Sequence, residues 1–105
     1  MGMISDDLKA ELQPGDVSTE AAGHRLRLLR AALGLTQAKM SALMNASIKN
    51  YQHMERGDTY PRPSHVQSGF HNMRIDFNFV YAGDYTRLPL EIIAQMQAAL
   101  TARAT

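Results

Sequence analysis

The amino-acid sequence predicts an all-α domain. Three observations carry that expectation. Apolar residues recur at helical spacing in several separate segments, a Ser, Thr or Asp stands before most of them, and no stretch alternates like a half-buried strand. At 105 residues the chain fits one domain and is too short for two of ordinary size.

Residues 1–18 carry scattered acids, Pro14 and Gly15, and only isolated apolar side chains. They are expected to form a flexible acidic tail with at most a fragment of helix. Thr19 stands as a helix N-cap, followed by Leu26, Leu29 and Leu33 at helical spacing, with Arg25, Arg27 and Arg30 on other faces. Gly34 ends this helix. Thr36 caps a short helix through about Met44, and Asn45 supplies a residue that tolerates positive φ. Ala46 and Ser47 complete a tight turn, with Ser47 capping a third helix to about Glu55 that Gly57 stops. Pro61 and Pro63 mark a loop. Ser64 then caps a fourth helix with Val66, Phe70 and Met73 inward, and Asp76 caps a short turn of Phe77, Phe79, Val80 and Tyr81 before Gly83. Pro89 opens a last helix with an apolar stripe of Ile92, Ile93, Met96 and Leu100. The expected divisions are the tail (1–18), a central domain (19–87) and the last helix (88–105), a candidate dimerisation element.

The apolar fraction of 45% and charged fraction of 20% are those of a soluble globular protein. With no cysteine there is no disulfide framework and no thiolate metal site, and no apolar run is long enough for a membrane span. No signal peptide is expected, and a cytoplasmic location follows. The net charge of +1 hides an asymmetry. Between Arg25 and Arg62 seven basic residues face two acids, a net of +5 that leaves −4 for the remainder. A basic centre with acidic flanks suits a polyanionic partner, although ordinary surface variation also produces such a pattern.

Two short helices joined by a tight turn make a helix-turn-helix. Ser41 is small enough for the helix crossing, Asn45 permits the abrupt reversal, and Met40, Leu43, Ala46, Tyr51 and Met54 can share a core. The second helix is then free to enter a DNA major groove about 12 Å wide. A plain helical hairpin meets several of the same demands.

The segment Leu35-Thr-Gln-Ala-Lys-Met-Ser-Ala-Leu-Met-Asn-Ala-Ser-Ile-Lys-Asn-Tyr-Gln-His-Met-Glu-Arg-Gly57 resembles the helix-turn-helix of phage Cro and lambda-type repressors, the xenobiotic response element family. Arg25-Leu-Arg-Leu-Leu-Arg30, Pro61-Arg-Pro-Ser64 and Asp76-Phe-Asn-Phe-Val-Tyr-Ala-Gly83 fall where that family has its first helix, the start of its fourth and its fifth. The resemblance spans about Ala22 to Pro89 and implies a lambda-repressor-like five-helix DNA-binding domain, with the last helix additional. The family's turn Gly is here Asn45. Its aliphatic core residue in the recognition helix is Tyr51, and its aromatic residue before Glu is Met54.

The resemblance also implies roles. Gln37 matches a family position that contacts phosphate and braces the recognition helix, while Thr36 can cap its helix and present backbone N–H groups to a phosphate as helix N-termini do; a capping Thr beside a solvent-facing Gln is the plainer alternative. Ser47, Ile48, Lys49 and His53 fall at the start and along the reading face of the recognition helix, where Lys49 can donate to guanine and Ile48 can touch a thymine methyl. For Ile48 the alternative is a core contact, and for Lys49 a solvated charge. Asn50, Arg56 and Arg62 are phosphate candidates, and Arg30 with Glu55 matches a structural ion pair. His24, His53, His65 and His71 show no metal-ligand or catalytic spacing, so no metal, cofactor or enzymatic activity is expected. The function implied is a sequence-specific regulator of transcription that binds double-stranded DNA. It would be a repressor of phage or mobile-element type, acting as a homodimer at the bacterial nucleoid. The alternative is the antitoxin of a toxin–antitoxin pair, with a toxin as protein partner.

Overall fold

Short polar side chains start most of the helices. In the computed structural model, which describes residues 4–104, Ser5, Ser18, Thr36, Ser47 and Asp76 each accept the backbone N–H three residues on. Each satisfies one of the amide donors that a helix start leaves unpaired. The elements that follow are α1 (Asp6–Leu12), α2 (Thr19–Leu33), α3 (Gln37–Leu43), α4 (Ile48–Glu55), α5 (Pro63–Met73), α6 (Phe77–Ala82) and α7 (Leu90–Ala104). Every regular element among the described residues is helical. α2 to α6 are consistent with the expected five-helix, lambda-repressor-like unit, and two helices lie outside it: α7, as expected, and α1.

Two starts differ from expectation. Asp16 accepts the Ser18 N–H at 2.9 Å, and this local turn makes Ser18 rather than Thr19 the cap of α2. α5 opens with Pro63 at its first position, where a missing N–H costs nothing, so Ser64 lies inside the helix. That helix buries Val66, Gly69 and Met73, while Phe70 stays 48% exposed. The stripe is rotated because Ile75 packs directly over Gly69, leaving Phe70 outside the contact.

The core gathers side chains from all seven helices. Leu8 and Leu12 of α1 are fully buried in it, so the expected flexible tail over residues 1–18 is in large part a docked helix. Ser5 is tied to the far end of the chain as well, its N–H donating to Gln97 of α7 at 3.2 Å. Two leucines four residues apart within seven helical residues bury one face; the segment is too short to show that as periodicity.

Arg25 departs furthest from expectation. It is fully buried, and its guanidinium donates to four backbone carbonyls: Leu12 (2.7 Å), Gln13 (2.6 Å), Asp16 (2.6 Å) and Val80 (3.2 Å). Among the described residues no carboxylate forms an ion pair with it, and the Asp16 carboxylate acts on it only through a weaker Coulombic interaction. Burial lowers its pKa, and the carbonyl dipoles replace the water it has lost. The residue clasps the end of α1, the loop into α2 and the C-terminal end of α6. Gly83 closes the same site: at φ +72° it adopts a backbone that a side chain disfavours, and a Cβ there would meet the Leu12 carbonyl at 2.7 Å. Arg25 therefore supplies none of the surface charge that the sequence credits to this region.

The stripe of α7 lies along α2, with Ile92, Ile93 and Met96 buried and Leu100 partly so. The apolar stripe that made this helix a candidate dimerisation element is thus covered within the domain, chiefly by α2. Burial of these side chains contributes about 1.5–3 kcal/mol each, against a total stability on the order of 5–15 kcal/mol. Truncation after Tyr85 should therefore abolish cooperative unfolding in a circular-dichroism melt; a truncated chain that melts like the full one would refute this account. Arg25→Met should cost at least about 3 kcal/mol by stranding buried carbonyls. Arg25→Lys, which cannot reach all four carbonyls, should recover only part of that loss in chemical denaturation.

Candidate nucleic-acid interface

The turn between α3 and α4 is made by Asn45, which takes φ +54° while the Ala46 N–H donates to the Ser41 carbonyl at 2.9 Å. Asn tolerates that conformation better than other residues with a side chain, which is why it can stand where the resembling family has Gly. Ser41 is buried with its hydroxyl donating to Ala38 at 2.7 Å, so the crossing meets no exposed polar group. Met40, Met44, Tyr51 and Met54 fill the space between the two helices.

α4 is fixed from behind by α2. A Cβ on Gly23 would lie 2.4 Å from the Met54 carbonyl oxygen and 2.6 Å from that of Glu55, so the two backbones touch there and no larger residue fits. Above that contact Arg30 donates to both oxygens of Glu55, at 2.5 and 3.2 Å, and to the Leu35 carbonyl at 3.1 Å. Gln37 donates to Glu55 at 3.2 Å and accepts from Gln52 at 3.1 Å. The network links α2, the start of α3 and the inner side of α4. The buried Tyr51 hydroxyl sits beside Glu55 and Arg30 without a well-directed bond, and burial drives its pKa far up. Burial alone would raise the Glu55 pKa, but hydrogen bonds led by that of Arg30 hold the carboxyl below its ordinary value.

The opposite side of α4 is open. Ile48 is 47% exposed, which removes the core reading for this residue. Ser47, Lys49 and Asn50 are exposed, and His53, four residues after Lys49, shares its face. The Ser47 and Thr36 hydroxyls are engaged in capping. Asn50, His53 and Arg62 line a groove of about 130 Å³ together with Thr59, Tyr60 and His65. Arg56 and Asp58 lie just past the end of α4. The bracing expected of Gln37 is present, with one N–H of its amide left for an outside acceptor. Gln52, absent from the sequence-based set, links Gln37 to α4; its spacing of three from Glu55 on one helix was the available signal.

Arg25 lies in the core and Arg30 is paired, so Arg27, Lys39, Lys49, Arg56 and Arg62 are the exposed cations between residues 25 and 62. Among the described residues no cluster of three His, Asp or Glu side chains could hold a metal ion, and no helix is long and apolar enough to cross a membrane.

Glu55→Gln should lower stability by about 2 kcal/mol at neutral pH, because it removes a charged partner from a part-buried arginine. Since the folded carboxyl titrates below its ordinary value, the pair's contribution is complete above about pH 5.5 and is lost as pH falls through the depressed value. The gap between the two proteins' melting temperatures should therefore narrow in acid; a gap that is constant down to pH 3 would contradict this account.

Comparison with known proteins bears on the same stretch. Residues 21–68 match the family model described as a helix-turn-helix domain, which covers most of α2, all of α3 and α4, and the first half of α5. No curated protein and no solved structure matches the chain. The close-packed α3–α4 pair, its positive-φ turn, the open outer face of α4 and this match agree: residues 21–68 form a helix-turn-helix domain, consistent with the Cro and lambda-repressor type.

Proposed function

We propose that this protein is a sequence-specific regulator of transcription that binds duplex DNA, with α4 as the recognition helix. One observation carries the reading: within a matched helix-turn-helix domain, α4 is anchored by Tyr51, Met54 and Glu55 while Ile48, Lys49 and Asn50 stand exposed on its other side. Lys49 and His53 would read base edges, with Ile48 against a thymine methyl. Asn50, Arg56 and Arg62, together with the remaining Gln37 N–H and the helix starts at Thr36 and Ser47, would hold phosphates and set the register.

One helix reads only a few base pairs, so a homodimer on two half-sites, about 34 Å apart, is the natural working form. The domain measures 34 × 26 × 24 Å, so two copies abreast can span that interval. Bound in this way the protein most simply blocks access to a promoter, a repressor in the manner of the phage proteins it resembles. Its place of action would be the nucleoid in the bacterial cytoplasm. The antitoxin reading has less support, because it needs a tail or last helix free to grip a toxin, and α1 and α7 are both packed into the domain.

Selection of bound sites from a random duplex pool should return a short motif. Affinity should fall steeply from low to physiological salt as Lys49, Arg56 and Arg62 displace counterions; a flat salt dependence would sink the assignment. Lys49→Ala combined with His53→Ala should erase the preference for the selected site over random DNA without moving the thermal melt. Full sequence preference in that double variant would show that other residues read the bases.

A further inference from the structure

Four of the acids in this sequence are Glu20, Glu55, Asp58 and Asp76, in that order with none between them. Glu55 is buried in its pair with Arg30, so from residue 21 to residue 75 Asp58 alone presents an exposed carboxylate. It stands where the proposed interface is otherwise basic.

Its position is set by the backbone. α4 ends with Gly57 at φ +80°, the Gly57 N–H donating to Met54 and the Asp58 N–H to His53, at 3.1 and 3.0 Å. This paired closure folds the chain back over the last turn of the helix and seats Asp58 above the side chains that end it. One oxygen, Oδ2, then lies 3.1 Å from Arg56 Nε and 3.2 Å from His53 Nδ1. Arg56 Nη2 is also 2.9 Å from the same ring nitrogen. A protonated Nδ1 donates to Asp58, and an unprotonated one accepts from Arg56; in either state the three side chains form one cluster. Hydrogen bonds from His53 and Arg56 keep the carboxyl below its ordinary range, so it stays ionised near neutrality.

From this geometry, and resting on the DNA-binding reading above, we infer that Asp58 is a built-in competitor for the phosphate backbone: it engages Arg56 and His53 in the free protein and so sets the affinity for DNA. A phosphate that takes Arg56 must displace a carboxylate already bonded to it, and the released carboxylate then recruits a cation from solution. That uptake cancels part of the counterion release that drives binding. The arrangement keeps affinity for arbitrary duplex low, since every phosphate meets the same competitor, and leaves base contacts to decide where the protein stays.

The test is Asp58→Asn, with Asp58→Ser as a second neutral variant and Asp58→Glu as the variant that restores charge. A fluorescently labelled duplex is titrated with full-length protein at several salt concentrations, using a random-sequence duplex and the site selected by the wild type. The neutral variants should bind the random duplex about three- to tenfold more tightly at low salt, a span that starts from the worth of one exposed ion pair and adds the lost repulsion of phosphate. Their log–log salt slope should steepen by up to about 0.9, the value of one further phosphate contact. Asp58→Glu should stay near wild type. In an Arg56→Gln background the gain from Asp58→Asn should shrink, because the cation it releases is gone. Unchanged or weaker binding by both neutral variants, with circular-dichroism melts like wild type, would overturn the inference while leaving the DNA-binding reading in place. A wild-type protein that binds neither duplex would overturn both.

Discussion

The close approach of α2 and α4 governs the rest of this structure. At Gly23 the backbones meet with no room for a methyl group, and a few residues away Arg30 grips Glu55 through two hydrogen bonds. Steric contact sets the separation of the helices, and the two-point ion pair sets their rotation. Gln37 and Gln52 carry the same restraint to the start of α3. A recognition helix held only by apolar side chains could slide or roll, because apolar contact has little direction. Here a directional polar network backs the inner face, so the outer face is presented at one angle. The exposed residues of α4 need no rigidity of their own.

Electrostatics follow from the same packing. A linear count between Arg25 and Arg62 suggests a broad basic patch, yet two of its seven cations serve the interior. Arg25 faces carbonyls in the core and Arg30 is neutralised by Glu55. What reaches the surface is a smaller set: Arg27 on α2, Lys39 on α3, Lys49 on α4, Arg56 past its end and Arg62 across a groove from His53. Asp58 tempers that set further. Three of the five exposed cations thus lie on or next to α4.

Much of this was legible in the sequence because it rests on local chemistry. Thr36, Ser47 and Asp76 cap helices as their positions suggest, and Asn45 takes the positive φ that the turn demands. The Arg30–Glu55 pair was also accessible, through a family pattern. What escaped depends on distant partners. Nothing near Arg25 in sequence announces that Val80 will offer it a carbonyl. The apolar stripe of α7 is equally compatible with an outside partner until α2 is seen lying against it. Leu8 and Leu12 look isolated because their helix is only seven residues long. Phe70 was misplaced because Gly69 lets Ile75 close over the helix, a contact that no periodicity encodes. Gln52 and Asp58 were passed over for a related reason: a polar residue on a surface helix or turn acquires a role only from what faces it.

The clasp around Arg25 also has a consequence for how the molecule comes into being. Its acceptors lie at Leu12, Gln13 and Asp16 on one side of the helix-turn-helix segment and at Val80 on the other. During synthesis the first three leave the ribosome before Arg25 does, and the last only about 55 residues later. Until then the guanidinium and the inner surface of α2 remain partly in water, and α7, which covers that surface, is made later still. The helix-turn-helix segment is thus complete in sequence well before it is complete in structure, and closure waits for contacts of high sequence separation. The backing of α2, which positions α4, is therefore complete only once α6 and α7 have been made.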